Sequence, residues 1–285
     1  MPSNLPIGIF DSGVGGLTVY RALHERLPNE HFVYLGDTAR VPYGTKSLST
    51  VERYGIENAK FLEGHGIKLL VVACNTASAL ALPAIRNAVG VPVVGVIEPG
   101  ARAATDVARG KPIGVIATEA TVQSGAYASA IARISSVNNV IERACPLFVP
   151  LAEEGWADTD VARAVADEYL SDFSKLDLGA LVLGCTHYPI LRELISEAVG
   201  TDVPLIDSGE AAAREVKELL RSTGTGGLAT PVAAPADRQL CDDLDHFYVT
   251  DAAERFAKVA ERFLGMSPSK LEAVEVWGHD ELRTN

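Results

Sequence analysis

Leu69-Leu70-Val71-Val72-Ala73-Cys74-Asn75-Thr76-Ala77-Ser78 is a short apolar run that ends in a cysteine and small polar residues. Such a run reads as a strand covered on both faces, the pattern of a parallel sheet. Ala79 to Arg86 follows with helix-forming composition. A strand that breaks into a helix delivers its last residues to the carboxyl edge of the sheet. Open α/β sheets bind ligands at that edge, and the helix start offers free N–H groups to an anion. Cys74 is therefore expected at a crevice.

The phrase recurs in Leu178-Gly179-Ala180-Leu181-Val182-Leu183-Gly184-Cys185-Thr186-His187-Tyr188-Pro189, with a helical segment from Ile190 to Ile195 behind it. The offset, 185 less 74, is 111 residues, and neighbouring segments travel with it. Ala88-Val89-Gly90 returns as Ala198-Val199-Gly200, and Pro92-Val93-Val94 as Pro204-Leu205-Ile206. A repeat that carries its neighbours along marks a duplicated unit. The expected fold is α/β, with two pseudo-symmetric domains of mainly parallel sheet and the active site in the cleft between them. The expected boundaries are 1–98 with 208–265 for the first domain, 99–207 for the second, and 266–285 for a C-terminal tail dispensable for catalysis. A lone cysteine is most often a small buried hydrophobe. Two in register at strand ends point to chemistry.

Ile7-Gly8-Ile9-Phe10 reads as the first strand, running into Asp11-Ser12-Gly13-Val14-Gly15-Gly16 and a helix over 17–26. The glycines suit a tight turn and an anion-binding loop. The loop is neither a dinucleotide fingerprint nor a P-loop, because G-x-G-x-x-G and Gly-Lys-Ser/Thr are absent. Strand 31–35 precedes a loop rich in turn residues, Gly36-Asp37-Thr38-Ala39-Arg40-Val41-Pro42-Tyr43-Gly44, and a helix over 48–64 follows. In the second half, strand 112–118 brings Thr118 and Thr121 to the start of a helix. A strand at 139–142, the acidic pair Glu153-Glu154 (on spacing alone a solvated surface pair) and a helix over 160–173 precede the Cys185 strand. A helix over 210–221, a flexible loop at 222–235, a strand at 246–250 and a helix over 251–264 capped by Asp251 complete the expected order.

The 285 residues are 47% hydrophobic and 22% charged, with a formal net charge of −12. That charge argues against nucleic acid or an anionic membrane as main partner. No apolar run approaches the ~20 residues of a membrane span, and Met1 to Pro6 lacks a signal-peptide pattern. A cytoplasmic location is expected. Cys145 and Cys241 lie outside the repeat, and no C-x-x-C pair indicates a metal site.

Two thiols across a cleft suggest a redox pair, a nucleophile with a bystander, or two acid–base groups on opposite faces of one carbon. A hydrolase using Cys185 and His187 leaves Cys74 unexplained. Inverting a stereocentre needs matched groups on both faces, in opposite protonation states, and so accounts for the repeat. A helix N-terminus or an imidazolium lowers a thiol's pKa, which is expected to poise one sulfur as base. No lysine lies in these motifs, so no Schiff-base candidate for pyridoxal phosphate is present.

At these motifs the chain resembles a known family. Asp11 to Gly16, Pro42-Tyr43-Gly44, Cys74-Asn75-Thr76-Ala77 and Cys185-Thr186-His187-Tyr188-Pro189 are similar to the signature segments of glutamate racemases, in the cofactor-independent aspartate/glutamate racemase superfamily. The resemblance covers residues 7 to about 265. It implies an isomerase that interconverts L- and D-glutamate without pyridoxal phosphate, metal or other cofactor, supplies D-glutamate for peptidoglycan and cell-wall shape, and forms a homodimer. It implies Cys74 and Cys185 as the two acid–base groups, aided by Asp11 and His187 respectively. Asp11, Ser12, Tyr43, Gly44, Asn75, Thr76, Thr186 and His187 match substrate-binding positions, Thr118 and Thr121 carboxylate-binding ones, and Asp37 and Glu153 auxiliary acids. Aspartate racemase, with a pocket one carbon shorter, is the related alternative; a two-lobed amino-acid-binding module is the unrelated one, though it would have no need of two thiols.

Overall fold

A computed structural model describes residues 4–223 and 238–277. Ten strands are present among them: β1 Ile7–Asp11, β2 Phe32–Gly36, β3 Leu69–Val72, β4 Val93–Gly95, β5 Ile113–Ala117, β6 Val140–Ala144, β7 Ala180–Gly184, β8 Leu205–Asp207, β9 His246–Val249 and β10 Leu271–Ala273. They form two sheets, ordered β10-β9-β2-β1-β3-β4 and β6-β5-β7-β8. Every pairing is parallel, with Phe10 beside Val72 in the first sheet and Ala117 beside Gly184 in the second. The strand order β2-β1-β3-β4 is repeated as β6-β5-β7-β8, the structural form of the sequence repeat. In both sheets the cysteine-bearing strand lies one place from the edge strand that follows it in the chain.

β1, β2, β3, β5 and β7 are buried along their whole length, as helices on both faces require. β6 is half-buried throughout, as an edge strand. One apolar cluster contains Ile9 and Val71 of the first sheet together with Leu181 and Leu183 of the second. The helix Ser208–Thr223 packs on both Leu17–Arg26 and Ile97–Ala108 and so ties the halves together.

Several elements differ from expectation. The segment after Cys185 opens as a 3₁₀ turn, Tyr188–Leu191, before the α-helix Arg192–Val199; Pro189 has no N–H to give the ladder. Asp251 does not cap its helix. The chain passes through Ala252 in a left-handed conformation at φ 51°, and the helix runs Ala253–Leu264. The Asp251 carboxylate instead accepts from the Ala252 N–H at 2.7 Å. The helix Ser208–Thr223 overruns the expected loop at 222–235, the rest of which lies outside the described residues.

Residues 266–285 do not all form a tail beyond the fold. β10 pairs with β9, the Val274 N–H donates to the Val249 carbonyl at 2.9 Å, and Val276 is buried. The physical reason is the edge of β9, whose unpaired N–H and C=O groups this segment covers.

Candidate active site

The site is assembled from carboxyl ends of the strands. β1 ends at Asp11, whose carboxylate is wholly buried and accepts from the Gly13 N–H at 2.9 Å. Its other oxygen has no hydrogen-bond partner among the described residues. Burial raises the Asp11 carboxyl, and the nearby His187 together with the N–H groups of Gly16, Gly13 and Ser12 draws it back. After β3 the chain turns at Cys74, the N-cap of the helix Asn75–Leu80. The Cys74 sulfur accepts from the Ala77 N–H at 3.5 Å and donates to Ser12 Oγ at 3.3 Å. Burial, with the adjacent Asp11 carboxyl, pushes this thiol up to about 12, against the pull of Ser12 and Ala77. Desolvation outweighs the one weak N–H···S contact that the helix start supplies.

On the facing side β7 leads through Gly184 into Cys185, whose sulfur lies 3.8 Å from His187 Nδ1. His187 Nε2 lies 3.1 Å from Glu153 Oε1, and Arg255 Nη2 meets Glu153 Oε2 at 3.4 Å. Burial pulls the imidazole down, but the bonds to Cys185 and Glu153 outweigh it and hold His187 at about 10. The bond from His187 in turn lowers the Glu153 carboxyl against its burial, with help from Arg255. Glu153 is therefore not a free surface acid. A negative group neighbours Cys74 and a positive one neighbours Cys185.

Both sulfurs line one cavity of about 70 Å³. Ser12, Tyr43, Gly44, Asn75, Thr76, Thr118, Glu153, Thr186 and His187 share its wall. Three expected residues stand one layer behind. Asp11 backs Cys74 and Ser12. Thr121 closes a hydroxyl triangle with Thr76 and Thr118, with oxygens 2.9, 3.0 and 3.3 Å apart. Asp37 accepts the Tyr43 hydroxyl and Asn58 Nδ2. Val41 and Val149 are apolar wall residues that sequence reading missed, and Pro42 joins them from the Pro42-Tyr43-Gly44 motif.

The halves approach closely here. A Cβ on Gly15 would lie 2.3 Å from Thr186 Oγ1 and 2.5 Å from the His187 ring, so only glycine fits. Thr18 Oγ1 donates to the Thr186 carbonyl at 2.8 Å. Asn75 Nδ2 donates to Tyr127 at 2.9 Å and Ser208 at 3.1 Å, while its Oδ1 is buried and unpartnered. Tyr127 lies outside the repeated segments and gave no sequence signal, and Ser208 was not named as a site residue. Among the described residues, no group of three or more His, Cys, Asp or Glu is arranged to hold a metal, and all four cysteines are free thiols.

Duplicated parallel sheets with one thiol at the carboxyl edge of each define a class of two-half α/β proteins with paired cysteines. The chain belongs to the Asp/Glu/Hydantoin racemase family, whose sequence profile matches residues 7–216. It is 54% identical over 259 residues to a glutamate racemase from Geobacter metallireducens, covering 91% of this chain and 92% of that one. A glutamate racemase from Chlorobium phaeobacteroides is 46% identical over 272 residues, 95% of this chain and 96% of the relative. In three dimensions the chain is similar to the Francisella tularensis glutamate racemase in complex with D-glutamate, at TM-score 0.85 and 40% identity over 96% of this chain and 98% of that one. The Thermus thermophilus glutamate racemase superposes at TM-score 0.83 and 45% identity, with the same coverage.

Proposed function

We propose that the chain interconverts L- and D-glutamate by two-base proton transfer at Cα, one face served by Cys74 and the other by Cys185. The observation that carries the reading is that both sulfurs open on one cavity from matching strands of a duplicated fold. One thiolate takes the Cα proton; the opposite thiol returns its own proton to the other face. The electron pair left at Cα is then quenched with inversion, and the sulfurs exchange protonation states. Cys74 rests as the thiol, given its elevated pKa and its donation to Ser12. Asp11 assists Cys74, and His187, held by Glu153, assists Cys185. The hydroxyls of Ser12, Thr76, Thr118 and Thr186, with Asn75, Tyr43 and Gly44, hold the substrate's carboxylates and amine. Thr121 and Asp37 act from behind them.

The reading extends to the setting. Residues 4–98 with 208–223 and 238–277 form one domain and 99–207 the other, and the enzyme is a cytoplasmic homodimer that supplies D-glutamate for peptidoglycan. No helix among the described residues is long and apolar enough to cross a membrane.

The test is to incubate the protein with L-glutamate, and separately L-aspartate, in deuterated water, following optical rotation and Cα–H exchange. Loss of rotation with glutamate alone is expected. Retained rotation with glutamate would overturn the proposal, and loss only with aspartate would reassign the substrate. In the host, depletion should cause lysis that D-glutamate relieves.

A further inference from the structure

Behind Tyr43 lies a buried polar cluster of which the site as described uses only Asp37. Its hub is Arg40. Nε shares its hydrogen between the Asp37 carboxylate oxygens at 2.7 and 3.0 Å. Nη1 donates to Glu57, and Nη2 to Asn58 Oδ1 at 3.2 Å. Asp37, wholly buried, also accepts from Thr250 Oγ1 at 3.0 Å and from the Tyr43 hydroxyl. Two aromatic rings lie against the guanidinium. Tyr54 lies 4.1 Å from its carbon, and Trp277 lies 5.4 Å away. Trp277 sits just past β10, after the buried Val276, which belongs to the same apolar cluster as Tyr43 and Cys74.

We propose that Arg40 is a positioning residue for the Tyr43–Gly44 wall of the cavity, and that the C-terminal segment acts on substrate binding by laying Trp277 over it. The inference rests on the reading of that wall as substrate-binding. Arg40 reaches Asp37, Glu57 and Asn58 at once through a planar fork that lysine lacks. Asp37 in turn fixes the Tyr43 hydroxyl, and with it the loop that presents Gly44 to Thr118. The indole face attracts the cation and keeps water off the cluster. Because the wall is neither acid nor base, its displacement weakens both enantiomers alike and leaves the proton transfers alone.

The experiment compares Trp277→Leu, Trp277→Phe, Arg40→Lys and Gly44→Ala in steady-state kinetics with L- and D-glutamate, alongside thermal unfolding. Trp277→Leu is expected to raise KM about threefold for both enantiomers at nearly constant kcat, the size of a lost cation–π contact. Trp277→Phe restores KM, since a ring again covers the guanidinium. Arg40→Lys raises KM about tenfold, as a buried carboxylate loses a paired hydrogen bond. A rise in KM at constant kcat marks lost uniform binding, which a general loss of stability does not produce. Unchanged KM in Trp277→Leu and Arg40→Lys overturns the inference, as does a fall in kcat alone. Gly44→Ala separates this failure from failure of the underlying reading, because its Cβ would fall 2.9 Å from Thr118 Cβ. If Gly44→Ala raises KM while the other two do not, the wall binds substrate without help from Arg40. If Gly44→Ala also leaves KM unchanged, the wall is not a substrate contact and both readings fall.

Discussion

Glu153→Gln tests the charge arrangement around Cys185 most directly. Glutamine keeps the shape and a hydrogen-bond acceptor for His187 Nε2, now 3.1 Å from Glu153 Oε1, but removes the negative charge. Unit charges at that distance attract by about 5 kcal/mol at an effective dielectric of ~20. Arg255 shares the carboxylate and water reaches part of it, so the net loss is nearer the ~1.5–3 kcal/mol of a charge-assisted hydrogen bond. At ~1.4 kcal/mol per pKa unit this drops His187, now held at about 10, by roughly one to two units. Its Cε1 proton resonance, followed against pH in wild type and variant, gives the shift directly. The kinetic counterpart is a fall in kcat/KM of about tenfold near pH 9, equal in both directions because the equilibrium constant is one. Stability follows with a defined sign. A folded-state pKa raised above the ordinary 6.5 of histidine contributes stability that is complete below 6.5 and is lost as pH rises through about 10. The lowered Glu153 carboxyl requires pH above about 4.5. Wild type should therefore exceed the variant most between about pH 5 and 8, and the gap should close above about pH 10. An unchanged His187 titration would refute the assignment of Glu153 as its counter-charge.

Cys74→Ser and Cys185→Ser should each abolish racemisation in both directions. With an analogue carrying a leaving group at Cβ, each variant should still eliminate from one enantiomer, and the two should choose opposite ones; the same enantiomer for both would make one cysteine a bystander. Activity should survive EDTA and exhaustive dialysis, measured as rotation change per mole of protein, and recovery only on adding pyridoxal phosphate would reverse the mechanism. Gly15→Ala should lose about 1–3 kcal/mol in urea unfolding and most of its activity, because its Cβ would overlap Thr186 and His187; a fully active, equally stable variant would show that the halves do not meet as described.

The strands and the two cysteine-bearing turns were legible because fully buried parallel strands leave contiguous apolar runs, and the duplication doubled the signal. What eluded reading depends on distance in space. Nothing in the sequence separates Ser12, which faces the cavity, from Asp11, which backs it, since the twist of one turn decides it. The rule that a helix start lowers a thiol's pKa is local and does not count the burial that overrides it at Cys74. Asp251 is a favoured cap residue, yet its backbone N–H is held by Thr38 Oγ1 at 2.8 Å and its carboxylate bonds the next residue, so tertiary contact displaced the helix start. β10 carried a signal that went unread. Leu271-Glu272-Ala273 and Val274-Glu275-Val276 each alternate apolar and charged residues as a strand covered on one face does, with a slip of phase between Ala273 and Val274. Its brevity, and its place after a segment read as the last helix, hid it.

The duplicated fold gives both thiols the same backbone setting but not the same electrostatics. Each follows a buried strand and precedes a helical turn, yet Cys74 has Asp11 at its back while Cys185 has the His187–Glu153 pair. On the two-base reading this asymmetry cannot favour either product, because kcat/KM in the two directions is bound to a ratio of one. It acts instead on the enzyme between turnovers. After one direction of transfer the sulfurs have swapped states, and the negative charge then sits beside a buried carboxyl rather than beside an imidazolium. That form is the higher in free energy, and relaxing it requires a proton to reach Cys74. Enantiomers that enter through the resting form and through its swapped partner thus meet enzyme in unequal supply. The ratio of the two kcat values, measured against pH, reports that energy difference, and Asp11→Asn, which removes the charge beside Cys74, should draw the ratio toward one. A ratio that moves away from one in that variant would place the resting charge on Cys74 and reverse the assignment.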